Sequence, residues 1–139
     1  RGLGDVYKRQ ALAGLVAITA EPLTPGPITA MVIGSIGAII MYFGTKMLES
    51  YGLDDVVGAI PVHMFAGIFG TLVVPLTNPD TSFGTQFIGT ASVCIFSFVV
   101  SWATFTALKS TIGLRISKAA EKLGTDKAEV GVTAYSIRD

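Results

Sequence analysis

The sequence predicts an all-α fold, a polytopic membrane helix bundle that the chain supplies only in part. Half of the 139 residues are hydrophobic, 14% are charged, and the mean hydropathy is +0.61. A soluble protein needs a more polar surface than this composition provides. The apolar residues are also collected into long blocks, which turn-forming residues separate. We therefore expect the lipid bilayer to be the main partner of this chain.

The charges and the few reactive side chains exclude several classes of function. Ten basic residues balance ten acidic ones, so no basic patch predicts binding to nucleic acid. The single cysteine, Cys94, cannot form an internal disulfide, and with only one histidine in the chain the side chains of a structural zinc site are lacking. No nucleophile and base occur together in a catalytic pattern. We expect no enzyme activity, no metal and no cofactor.

The beginning of the chain combines a polar segment with a short apolar run. Residues 1–10 are polar and charged and lead into residues 11–20 without a turn signal, and they lack the apolar core of a signal peptide. Residues 5–10 resemble the translated end of a transposase sequencing adapter, which would make residues 1–10 non-native. The alternative is a native cytoplasmic loop that leads into a helix. Residues 11–20 cover only about half a bilayer and predict a partial span.

Three longer apolar blocks follow this partial span. Residues 27–48 and 83–108 each exceed the roughly 20 residues that an α-helix needs to cross the hydrocarbon layer. Residues 56–76 form the block between them and contain a proline near each end. We interpret this block as a third span that is slightly broken at its entrance. Residues 11–112 are therefore the predicted transmembrane part.

The distribution of lysine and arginine predicts the orientation in the membrane. The connections at residues 21–27 and 77–82 contain no basic residue. In contrast, Lys46 precedes the connection at residues 49–55, and the charged tail at residues 113–139 contains several basic residues. Because basic residues favour the cytoplasmic side, we expect a multi-pass protein of the cell membrane, plasma or bacterial inner, with a cytoplasmic C-terminus.

His63 is the candidate residue for chemistry inside the membrane. An ionisable group among apolar residues is costly unless it faces a cavity or a partner, so a functional role is the first hypothesis. A neutral imidazole both donates and accepts a hydrogen bond, and it can therefore pass a small polar solute along a narrow apolar path. The alternative is a purely structural imidazole that bonds to a neighbouring helix.

Asp54 and Asp55 precede the block that contains His63. Two carboxylates at this place are typical of a solvated cap at the start of a helix. The sharper alternative is an ion pair between one of them and a basic residue of the tail, such as Arg115. Both alternatives place the carboxylates at the cytoplasmic side.

Small residues recur within the predicted spans. In lipid, helices associate through close packing of their backbones, and glycines permit this approach. The expected packing positions are Gly34, Gly37, Gly67 and Gly70.

The residues around His63 resemble a known family. Asp54 and Asp55, seven further residues, His63, and then Gly67 and Gly70 are similar to the penultimate helix of the ammonium transporters, which include the Amt, Mep and Rhesus proteins. Three more blocks carry the resemblance. Residues 11–20 resemble the eighth helix of that family, residues 113–115 the exit of its eleventh helix, and residues 121–135 its cytoplasmic tail.

The resemblance extends in order over residues 11–139. It implies that the chain is a C-terminal fragment of an eleven-helix fold, with roughly the last four helices and the tail. It further implies a homotrimer in which each subunit has one narrow hydrophobic pore for ammonium or ammonia. Two histidines from different halves of the subunit line that pore, and His63 is the second of them.

The resemblance also raises a partner and an alternative function. It implies a nitrogen regulator of the PII type as a partner of the tail. The sequence departs from the common family pattern at two places. Residues 130–132 read Val-Gly-Val where many members have His-Gly-Glu, which weakens the expectation of regulation. Gly58 stands five places before His63, where many members have a second acidic residue. The alternative function is an ammonium sensor with a transporter-like membrane domain.

Overall fold

The computed structural model describes residues 3–133, and residues 3–6 only by their backbone. The chain divides into two compact units, one up to Ile95 and the other from Phe96 onward, and each is described by itself. All regular elements of the described residues are helical. This confirms the predicted all-α class, a partial helical membrane bundle.

The first unit contains a short helix, a long helix and a composite helix. In chain order the elements up to the third connection are α1 (Leu3–Ile18), α2 (Pro27–Ser50), a π-helix (Ile60–Phe65), α3 (Ala66–Val73) and one 3₁₀ turn (Val74–Leu76). The π-helix, α3 and the 3₁₀ turn follow one another without a gap, so the block with His63 is one helical segment with three different windings. α4 (Phe83–Thr111) then runs across the boundary between the units.

The second unit continues from α4 into the charged tail. Two short elements follow, α5 (Lys118–Leu123) and a second π-helical turn (Asp126–Val130). Ser117 begins α5, because its hydroxyl accepts a hydrogen bond from the Ala120 N–H at 3.2 Å.

Within residues 3–133, two helices are long and apolar enough to cross a membrane by length and composition. These are α2, with 24 residues, and α4, with 29 residues. The segment Ile60–Leu76 is a shorter apolar helix, near the lower limit of spanning lengths. Its assignment as a third span stays a prediction. The same holds for the partial span, because α1 runs through residue 10 without a break and the origin of residues 1–10 is untested.

The core of the first unit forms where α1 packs against α2 and against the composite helix. On α2 the buried positions recur every three or four residues, which places them on one face. On α1 the buried positions Ala13 and Ala17 are one turn apart. The buried cluster consists of Ala13, Ala17, Ile33, Met41, Val62 and Ala66.

Glycines let the helix backbones of this core approach one another. A methyl group on Gly37 would lie 2.6 Å from Ala17 Cβ, and one on Gly34 would lie 3.5 Å from the Gly14 carbonyl oxygen. A methyl group on Gly70 would overlap the backbone of Ala17. Gly67 is less constrained, since its nearest neighbour, Val16 Cγ1, would be 3.7 Å away. Gly34, Gly37 and Gly70 thus lie at contacts of α1 with its neighbours, and the role of the four glycines in packing within a membrane stays a prediction.

Replacing Gly37 with alanine tests this packing. The new methyl group would meet Ala17 Cβ and, at 2.9 Å, the Ala13 carbonyl oxygen, so the two helices must separate. We expect the Gly37→Ala variant of the full-length protein to lose about 1–3 kcal/mol of stability, measured as a lower temperature of thermal unfolding in detergent.

The matched control for that variant is Gly89→Ala in α4. Within the described residues no atom lies within 4 Å of the added methyl group, and alanine is the better helix former. We expect unchanged or slightly higher stability for the control. Wild-type stability of Gly37→Ala would contradict the close contact between α1 and α2.

Candidate functional site

The site begins with a turn that leads into the π-helix. Gly58 has a φ of +73°, a left-handed conformation that favours glycine. Its carbonyl oxygen accepts a hydrogen bond from the Val62 N–H at 3.0 Å. Pro61 follows in the first turn, where its missing N–H removes a donor that the helix could not satisfy itself. The chain therefore enters the segment with His63 through a compact turn.

Asp55 closes this turn with its side chain. One carboxylate oxygen accepts the Ala59 N–H at 2.9 Å, and the other accepts the Ile60 N–H at 2.8 Å. Asp55 is half-buried, whereas Asp54 is exposed. Negative charge is favourable at this end of a helix, because free N–H groups point towards it. Asp55 thus has the geometry of a helix cap.

The π-helix turns His63 away from the packed core. Pro61, Val62 and Ala66 are buried, whereas His63 and Met64 are exposed. Within residues 3–133 the imidazole makes no hydrogen bond or ion pair. Both of its nitrogens are therefore available to a group from outside these residues. Single turns of π-helix inside helices occur frequently at functional sites.

Helix α2 supports the π-helix from behind. A methyl group on Gly44 would lie 2.5 Å from Phe65 Cδ2 and 3.2 Å from Pro61 Cβ. Gly44 therefore leaves the space that these two rings occupy. Because Phe65 and Pro61 flank His63 in the sequence, this contact fixes the helix on the side opposite the imidazole.

Arg115, the expected tail partner of the aspartates, lies in the second unit. Its Nη2 atom is 3.9 Å from Glu121 Oε1, and the two side chains are 86% and 57% exposed. Such a long, exposed ion pair contributes little to stability. The pairing of Arg115 with Asp54 or Asp55 stays a prediction.

A second polar contact lies at the other end of the first unit. Asn78 Nδ2 donates a hydrogen bond to Glu21 Oε2 at 2.9 Å. The bond joins the connection at residues 21–27 to the one at residues 77–82. Both connections lack basic residues, and the contact is consistent with their expected position on the same side of the membrane.

Sequence reasoning missed two features of the site. It predicted a slightly broken entrance to the block but not its form, a π-helix in which Pro61 belongs to the first turn. It also assigned no role to Gly44. A signal existed in the spacing, because Gly44 lies seven residues after Gly37 and therefore on the same face of α2.

Comparison with known proteins places this chain in a family. Residues 8–135 match the model of the Ammonium Transporter Family. Ammonium transporter Amt2 of Archaeoglobus fulgidus is 38% identical over 146 aligned positions, which cover 90% of this chain and 31% of that protein. Ammonium transporter Amt1 of Methanocaldococcus jannaschii is 35% identical, with 89% of this chain and 34% of that protein covered.

A bacterial relative gives the same result. The ammonium transporter of Corynebacterium glutamicum is 32% identical, over 91% of this chain and 31% of that protein. The chain thus spans about a third of the length of the curated relatives it matches. The match to the family model nevertheless runs through nearly the whole chain. The chain belongs to the ammonium transporter family.

Proposed function

We propose that the complete protein moves ammonium or ammonia across the cell membrane, and that this chain contributes the C-terminal helices and one pore histidine, His63. The observation that carries the proposal is the position of the imidazole. It points out of the packed face and has no partner within residues 3–133, although it belongs to an apolar helical segment. An ionisable side chain in such a place is expected to face a cavity or a partner.

The surroundings of His63 favour a neutral species on the path. Val62 and Met64 flank the imidazole in the sequence, and an ammonium ion among such side chains would lose its hydration without compensation. An imidazole can accept a hydrogen bond from ammonia at one nitrogen and donate one at the other. In the proposed mechanism the cation is recruited outside, transfers its proton to water on that side and passes His63 as ammonia.

The rest of the pore lies outside this chain in the proposed arrangement. By family resemblance, the first histidine of the pair comes from the missing helices, and three subunits form a trimer. α4 supports an incomplete bundle, since none of its 29 residues is buried. The charged tail is the proposed place for a regulator of the PII type. The departure at residues 130–132 argues against tight regulation.

The proposed orientation has the C-terminus in the cytoplasm. Two observations support it: basic residues gather in the tail and near Lys46, and the Asn78–Glu21 hydrogen bond holds the two connections without basic residues together. The latter connections are then external, because the positive-inside rule assigns the basic side to the cytoplasm.

Labelling of single cysteines tests this orientation. In a cysteine-free full-length protein that includes Cys94→Ser, we expect Thr24→Cys to react with a membrane-impermeant maleimide on intact cells. Ser50→Cys, at the end of α2, is expected to react only after the membrane is opened. The reverse pattern would place the C-terminus outside.

Replacement of His63 tests the proposed function. In the full-length protein, His63→Ala removes the only proposed hydrogen-bonding group of this segment that faces the pore. We expect uptake of methylammonium per molecule to fall roughly tenfold or more, the effect of losing one buried hydrogen-bond partner, with altered selectivity against other cations.

The matched control for that variant is Thr71→Ala in α3. The Thr71 hydroxyl already donates its one hydrogen to the Gly67 carbonyl oxygen at 2.9 Å, so its loss removes no free hydrogen-bond donor. We expect near wild-type uptake from the control. Unchanged current and selectivity in His63→Ala would overturn the proposal, and absence of flux through the wild type would favour the sensor alternative.

A further inference from the structure

The direction of the His63 side chain depends on the first turn of the π-helix. Ala66 N–H bonds to the carbonyl oxygens of both Pro61 and His63, so His63 lies inside the wider turn. An α-helical winding of the same residues would have fewer residues per turn and would rotate His63 around the helix axis relative to the buried face. A device that holds the first turn therefore also sets where the imidazole points.

Asp55 holds that turn with both of its carboxylate oxygens. They accept the N–H groups of Ala59 and Ile60 at 2.9 and 2.8 Å. Both N–H groups belong to the helix entrance, where the helix itself offers no acceptor. Ile60 is the first residue of the π-helix and lies three positions before His63. A single side chain thus satisfies the donors at the start of the turn that carries the imidazole.

The backbone of Asp55 also takes part in this arrangement. Its carbonyl oxygen accepts the Gly58 N–H at 3.2 Å, and Gly58 has the left-handed conformation that returns the chain towards the carboxylate. The residues from Asp55 to Ile60 therefore form a hydrogen-bonded turn, whose Val56 carbonyl oxygen also accepts a bond from Arg9 Nη2 at 2.6 Å. This turn supports the π-helix at its start, while the contact between Gly44 and Phe65 supports it at its end.

We propose that Asp55 is a positioning residue for His63. Its carboxylate holds the entrance of the π-helix in the winding that directs the imidazole away from the core. The inference rests on the proposed pore function of His63, but it adds a requirement on a residue that contacts no solute. It also explains why a carboxylate suits this position, since asparagine offers one side-chain oxygen to two N–H groups.

The test compares Asp55→Ala and Asp55→Asn with His63→Ala in the full-length protein. Methylammonium uptake and selectivity against other cations are measured per molecule present in the membrane. We expect roughly tenfold lower uptake for Asp55→Ala, because without the cap the winding that directs His63 outward is populated less. We also expect a selectivity change in the same direction as for His63→Ala. Asp55→Asn is expected to lie between Asp55→Ala and the wild type.

A double variant separates positioning from a general structural role. If Asp55 acts through His63, then Asp55→Ala in the His63→Ala background changes the residual selectivity no further. A merely structural role would impair both backgrounds equally. Asp80→Ala is the matched control, because Asp80 is an exposed carboxylate that also precedes a helix, and we expect wild-type transport from it.

Each failure has its own signature. Wild-type uptake and selectivity of Asp55→Ala, together with an impaired His63→Ala variant, would overturn the positioning role and leave the pore function intact. An unimpaired His63→Ala variant would overturn the pore function itself. If Asp55→Ala does not reach the membrane, the Asp55→Asn variant takes its place in the test. Wild-type selectivity of Asp55→Asn overturns the inference, and a selectivity between those of the wild type and His63→Ala supports it.

Discussion

Close backbone contact between α1 and its two neighbours is the constraint on which the first unit depends. Ala17 on α1 meets Gly37 of α2 on one side and Gly70 of α3 on the other. Larger side chains at these positions would force the helices apart. In a bilayer, where apolar side chains gain little by leaving lipid, such close packing is a main source of helix association. The same contact brings the composite helix against α2, and that placement orients the site.

The site depends on this packing through the π-helix. Gly44 of α2 leaves room for Phe65 and Pro61, so one side of the π-helix packs closely against α2. The Asp55 carboxylate accepts the N–H groups at the start of the π-helix. The other side of the turn then presents His63 outward. An apolar helical segment tolerates a polar side chain when the fold directs that side chain towards a cavity or a partner and away from lipid.

Much of the fold could be predicted from the sequence, because span length and hydropathy are local properties. The expected block at residues 27–48 became α2, Pro27–Ser50, and the block at residues 83–108 became α4, Phe83–Thr111. The winding around His63 could not be predicted in this way. It depends on hydrogen bonds that a loop carboxylate accepts and on the space that Gly44 of another helix leaves for two rings, and neither feature has a periodic signal in the sequence.

The family resemblance that began at His63 now rests on a match along residues 8–135, whereas the role of His63 is a proposal about the complete protein. An electron cryo-microscopy map of the full-length protein in lipid tests it most directly. The proposal predicts a continuous narrow cavity through each subunit, with the His63 imidazole on its wall and Asp55 bonded to the start of the same helix. A His63 side chain that faces lipid, or that is enclosed by packed side chains without a cavity, would contradict the account.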